Sequence, residues 1–180
     1  MRPHFIYNTM TSIYYLCDQD PELAKQVTMF FTVYLRKNFT AIVSEEAISF
    51  SEELEHTRAY LAVEQAQYED DLLVDYDTSH TQFRMPPLTL QPIVENAVKH
   101  GMDLDSGPLH IWIRTKETGS GSEIIVEDDG AGFEPAGDDE PHIALANIER
   151  RLDMMCGGQL VIEPRGGGGT VVKVTIPNRG

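Results

Sequence analysis

The chain has 180 residues, 41% of them apolar and 24% charged, which is enough for one or two small domains with their own cores. Lys and Arg number 14 against 29 acids, a net charge of −15 at pH 7. That balance excludes a surface built to neutralise nucleic-acid phosphates, and equally a basic helix lying on a membrane. The longest apolar stretch, around Val27 to Leu35, is about half of what a bilayer-spanning helix needs. Cys17 and Cys156 follow no metal or disulfide spacing, as expected in a reducing compartment.

Up to about residue 70 the pattern is helical. A first helix is predicted from near Pro3, turning Phe5, Ile6, Ile13 and Leu16 inward. Asp20 before Pro21 reads as an N-cap with Pro in the first turn, opening a helix whose inner face is Leu23, Val27, Phe30, Phe31 and Tyr34. Leu54, Leu61 and Tyr68 repeat every seven residues in a third helix, with Ser51 as the expected N-cap and acids in its first turn.

From about residue 71 strands alternate with helices. Leu72–Tyr76, His110–Arg114 and Glu123–Val126 read as strands, the last two joined through Gly119-Ser120-Gly121-Ser122. Helices are expected over about 88–101 and 143–155, and Thr170–Ile176 is a closing strand. The order predicts an α+β fold: an N-terminal helical hairpin segment (1–70), then an α/β sandwich (71–180) whose mixed sheet carries its helices on one face.

Three segments have the residue types for chemistry. In Leu88–Gly101, Leu90, Ile93, Val94, Ala97 and Val98 share one side of a helix, while Asn96 and His100, flanked by Glu95 and Lys99, form a polar stripe. That mixture suits a hydrated Mg²⁺ with phosphates, and equally an ordinary solvated helix face. Asp128-Asp129-Gly130-Ala131-Gly132 follows a strand; a carboxylate there can accept an exocyclic amine, with glycines leaving room for a flat ligand, or the segment is a tight acidic turn. The Gly166–Gly169 run before Thr170 reads as a phosphate cradle or as a flexible hairpin connector.

The succession of an Asn-bearing helix, Asp-x-Gly-x-Gly, a loop and helix, then Gly-Thr entering a strand resembles the ATP-binding domain of the GHKL superfamily, which has the Bergerat fold, over about residues 70–177. Pro86-Pro87-x-x-Leu90-Gln91-Pro92-x-Val94-Glu95-Asn96-Ala97-x-Lys99-His100-Gly101 is similar to one branch, the LytS/YehU-type sensor histidine kinases. Pro3-His4-Phe5-Ile6-Tyr7-Asn8-Thr9 resembles the box that carries this branch's phosphoaccepting histidine, and Glu52-Glu53-Leu54-Glu55 followed by Tyr60-Leu61 resembles its linking helix.

The resemblance implies an ATP-dependent histidine kinase with Mg²⁺ as cofactor. His4 would take the γ-phosphoryl group and pass it to an aspartate on a response regulator; Glu95 is the candidate base. Asn96 would hold Mg²⁺ between phosphates, Lys99 and His100 would face phosphate, and Asp128 would accept the adenine amino group. Gly130 and Gly132 would shape the pocket, with Asn147, Gly169 and Thr170 beside the nucleotide. A homodimer through residues 5–35 is expected, and no nucleic-acid partner. His4 stands three residues after Met1, so an upstream sensor or membrane region is expected, with this part on the cytoplasmic side.

The sequence departs from the branch in one box. Where Gly-x-Gly-Leu-x-Asn is usual, it reads His142-Ile143-Ala144-Leu145-Ala146-Asn147. His142 is then either a substitute phosphate contact or a surface residue. From Glu123 to Glu140 there are eight acids and no Lys or Arg, which opposes a polyanion and raises its expected dependence on Mg²⁺. Two other functions fit the same motifs: a non-catalytic nucleotide-binding or dimerisation module, and a GHKL ATPase outside phosphorelay.

Overall fold

The structure is a computed structural model and describes residues 3–43, 46–103, 107–132 and 140–178. Helices α1 (Pro3–Gln19) and α2 (Pro21–Val43) form the N-terminal hairpin. The Asp20 carboxylate accepts the Leu23 N–H at 3.0 Å, so the Asp-Pro pair starts α2 as expected. Phe5 docks α1: its ring centroid lies 6.0 Å from Phe31, 4.8 Å from Tyr34 and 5.2 Å from Tyr60. Such aromatic pairs contribute about 0.5–1.5 kcal/mol each beyond the area they bury. Phe30, expected inward, is instead exposed. The buried stripe of α2 runs through Val27, Phe31 and Tyr34, and Phe30 sits one 100° step off it.

Helix α3 (Phe50–Tyr68) crosses both halves of the molecule. Its cap is Ser49, not Ser51: the Ser49 hydroxyl accepts the Glu52 N–H at 3.2 Å. Ser49 also belongs to β1 (Ile48–Ser49), which pairs antiparallel with β3 (Arg84–Met85). Two-residue strands are too short to leave an alternation in the sequence.

The main sheet contains β2 (Leu72–Asp77), β4 (Leu109–Thr118), β5 (Gly121–Asp128), β6 (Gln159–Pro164) and β7 (Thr170–Pro177) in the order β2-β4-β5-β7-β6. The β2–β4 pair is parallel, with Leu72 opposite Leu109; the other pairs are antiparallel. The predicted mixed sheet is thus present, with one strand more than the sequence suggests. The additional strand, β6, is a short, mostly exposed edge strand ending in Pro164, with little alternation to read.

Ile111, Ile113, Ile124, Val126, Val172 and Val174 form the buried face of the sheet. Helices α4 (Leu90–Gly101) and α5 (Glu140–Cys156) pack against it. The opposite face is polar and partly open. There Arg165 stacks 4.7 Å over Trp112, and Arg114 pairs with Glu127 at 2.8 Å. One continuous apolar core runs from Phe5 through α3 to Ile176. Among the described residues no helix is long and apolar enough to cross a membrane.

Candidate functional site

The site is organised by α4, whose start is held from outside. Its N-cap position, Thr89, makes no side-chain cap; the Thr89 hydroxyl donates to Pro86 O at 2.8 Å instead. No acid lies in the first turn. The first-turn amides are met by Glu53 of α3, which is fully buried. Its carboxylate accepts N–H groups from Leu88 (3.1 Å), Thr89 (2.9 Å), Leu90 (2.9 Å) and Gln91 (3.3 Å). Burial pushes its carboxyl above the usual carboxylate range, and the four amides pull against that shift.

Leu88 has a left-handed backbone (φ 55), which costs a side-chain-bearing residue on the order of 1–3 kcal/mol. Arg151 of α5 donates to Leu88 O, so the strained peptide is held on both sides. The sequence hides this arrangement, because Thr89 is a residue type that ordinarily caps its own helix.

Along α4 the polar residues part company. Asn96 and His100 line a cleft, open to solvent, with Asp128, Gly132 and Thr170. Its walls are apolar, from Ile93, Ala97, Val126, Leu145, Ile162 and Val172. Glu95 turns the other way, toward the N-terminal helices. Tyr34 Oη donates to Glu95 Oε1 at 3.5 Å, and Gln91 Nε2 donates to the same oxygen. The single polar stripe expected from periodicity is therefore divided, because α2 and α3 cover the Glu95 side. Lys99 is exposed and Asn147 is exposed on α5; neither lines the cleft.

Asp128 ends β5 at the cleft floor and is buried. It accepts the Gly130 N–H at 3.1 Å and is hydrogen-bonded to the Thr170 backbone and side chain. Burial raises its carboxyl above the usual range, against the pull of those bonds. The glycines close the backbone around it. A Cβ on Gly130 would lie 2.2 Å from Gly101 Cα, and one on Gly169 (φ 94) would lie 1.9 Å from Asp128 O. The end of α4, the turn after β5 and the turn before β7 thus meet at backbone contact.

His4 is exposed on α1, with Nδ1 3.2 Å from Asn8 Nδ2. The side chains of His142 and Ala144 lie outside the described residues. Among the described residues, no group of three or more His, Cys, Asp or Glu side chains could hold a metal by itself.

An apolar cleft, floored by a buried carboxylate and edged by a carboxamide and an imidazole, thus lies between the mixed sheet and its helices. Comparison with known proteins gives the class of this fold. Residues 1–72 match the histidine kinase family and residues 87–180 match the histidine kinase-, DNA gyrase B- and HSP90-like ATPases, and the chain belongs to that ATPase family. Sensor protein LytS of Oceanobacillus iheyensis is 32% identical over 196 residues, covering 99% of this chain and 33% of that protein. YwpD of Bacillus subtilis is 35% identical over 185 residues, covering 98% of this chain and 66% of its own. This chain therefore spans about a third to two thirds of the length of these relatives. The histidine kinase domain of the blue-light activated kinase from Erythrobacter litoralis EL346 shares the fold, with TM-score 0.56, 17% identity and coverage of 98% of this chain and 89% of that one.

Proposed function

We propose that the chain is the catalytic core of a two-component sensor histidine kinase, in which residues 71–180 bind Mg-ATP and residues 1–70 supply the phosphoacceptor and the dimer contact. The observation that carries this reading is Asp128, a buried carboxylate at the floor of an apolar cleft facing Asn96 and His100. Adenine fits there as a flat apolar body whose amino group donates to Asp128. Asn96 and His100 stand at the polar edge, where the phosphates would leave the slot. Mg²⁺, held between the phosphates with Asn96, would offset charge on the transferring group.

In the transfer, His4 attacks the γ-phosphorus, a P–N bond forms, and the bond to the bridging oxygen of ADP breaks. The attack uses the lone pair of the unprotonated ring nitrogen of His4, and the proton on the other ring nitrogen leaves to a base, for which Glu95 is the candidate. Positioning of the two groups supplies most of the rate. The phosphoryl group then passes to an aspartate of a response regulator. The exposed Tyr7, Met10, Tyr14, Met29 and Phe30 on α1 and α2 support pairing with a second copy.

Calorimetric titration with Mg-ATP and Mg-ADP tests the binding half. Asp128→Ala removes a charge-assisted acceptor, whose loss typically costs about 1.5–3 kcal/mol, so affinity is expected to fall roughly thirtyfold. Wild-type protein that gives no heat with either nucleotide contradicts the reading.

A further inference from the structure

The Glu53 carboxylate is the part of the molecule whose chemistry the phosphotransfer reading leaves unused. It sits in the helical half, is fully buried, and accepts four successive amides from the start of α4. Arg151 reaches the same corner from α5, on the carbonyl side of the Leu88 peptide. Two turns further along α4, Asn96 and His100 enter the cleft, and Leu145 on α5 forms its opposite wall. A rigid helix rises about 1.5 Å per residue, so any slip at residues 88–91 moves Asn96 by the same amount.

We propose that Glu53 is a positioning residue that, with Arg151, fixes the axial placement of α4 and so sets how Asn96 and His100 face the nucleotide. The inference rests on the nucleotide reading of the cleft. It makes the cleft and α3 one coupled unit: nucleotide bound at Asn96 favours the α4 position that Glu53 holds, and by linkage tightens the junction with α3. The left-handed Leu88 peptide fits this role, since such a conformation persists only where surrounding contacts over-determine it. Glu53 touches no substrate and acts through α4 alone.

The test uses Glu53→Gln, Arg151→Gln and the double variant. A glutamine at position 53 keeps the shape but turns an amide NH₂ toward N–H donors, so part of the four-bond cradle is lost. Dissociation constants for Mg-ADP are measured well below the melting temperature, where circular dichroism confirms the native fold. Each single variant is expected to bind about tenfold more weakly, and the double variant little more weakly than either, because both act on one peptide. A lowered melting temperature with wild-type affinity overturns the proposal, since that is what a purely structural residue does. Should Glu53→Gln fail to fold, Arg151→Gln decides the same question alone, and wild-type affinity there overturns it.

A second readout needs no nucleotide. Amide exchange across Ile93–Val98 is expected to quicken at least tenfold in the single variants, while β4 and β5 are unchanged. Unchanged exchange in α4 overturns the role of Glu53. Absence of nucleotide binding in the wild type overturns only the reading of the cleft, and amide exchange then decides by itself whether Glu53 holds α4.

Discussion

Gly169→Val is expected to lower stability by about 4 kcal/mol and to abolish nucleotide binding. The backbone at Gly169 has φ 94, a conformation that costs an L side chain on the order of 1–3 kcal/mol. In addition, the new Cβ would stand 1.9 Å from Asp128 O, a backbone atom that cannot swing aside. Relieving that overlap costs roughly a further 1–3 kcal/mol, and it displaces the carboxylate that floors the cleft. For a chain of this size the melting temperature should fall by roughly 10 °C. Gly166→Ala is the matched control. No atom lies within 4 Å of its added Cβ, so its melting temperature and affinity should stay close to wild type. Thermal denaturation followed by titration with Mg-ADP checks both variants, and equal behaviour of the two would mean that the backbone contact at Gly169 carries no such cost.

The second large effect is acid sensitivity centred on His56. It is buried in α3, and Asn38 Nδ2 approaches its Nε2 at 3.0 Å while also donating to Tyr34 O. Burial first, and Lys37 second, depress the imidazole to about 4. Protonation would put an N–H where the neutral ring accepts one. Because the folded value lies below the unfolded value near 6.5, the unfolded chain takes up the proton first as pH falls. Stability from this group is intact above pH 6.5 and declines as pH drops toward 4. The loss is about 2 kcal/mol between pH 6.5 and 5, and up to about 3 kcal/mol by pH 4. Urea denaturation at pH 7, 6 and 5 should show this slope in the wild type and a flatter one in His56→Gln. Parallel slopes would assign the acid sensitivity elsewhere.

What can be read from the sequence follows the physics of each signal. α4 and its apolar face are readable because five apolar residues repeat over three turns. Asn96 and His100, four apart, fall on one stripe in sequence and in the structure alike. Glu95 is not separable from them in sequence, because what distinguishes it is tertiary: Tyr34, 61 residues earlier, covers that side. Glu53 reads as an ordinary first-turn acid of its own helix, and its service to another helix 35 residues away has no local signature. The glycines are visible as turn formers, but the backbone contacts of Gly130 with Gly101 and of Gly169 with Asp128 depend on strand order. The order β2-β4-β5-β7-β6, with an edge strand lacking alternation, is beyond periodicity.

Part of the chain's acidity is put to structural use. Asp128 is buried at the cleft floor, where a carboxylate acts as an acceptor and not as a surface charge. Asp129, by contrast, is exposed and turned to the backbone of His110, whose N–H it accepts at 2.7 Å. Neighbouring acids in one short motif therefore have separate duties, one toward the cleft and one toward the start of β4.

Incubation of the full-length protein with γ-labelled ATP and Mg²⁺ tests the central claim most directly. Acid-labile, alkali-stable label is expected on the wild type and none on His4→Ala, with nucleotide affinity unchanged in that variant. Wild-type protein that stays unlabelled while binding nucleotide, or His4→Ala that labels as well as the wild type, would contradict it.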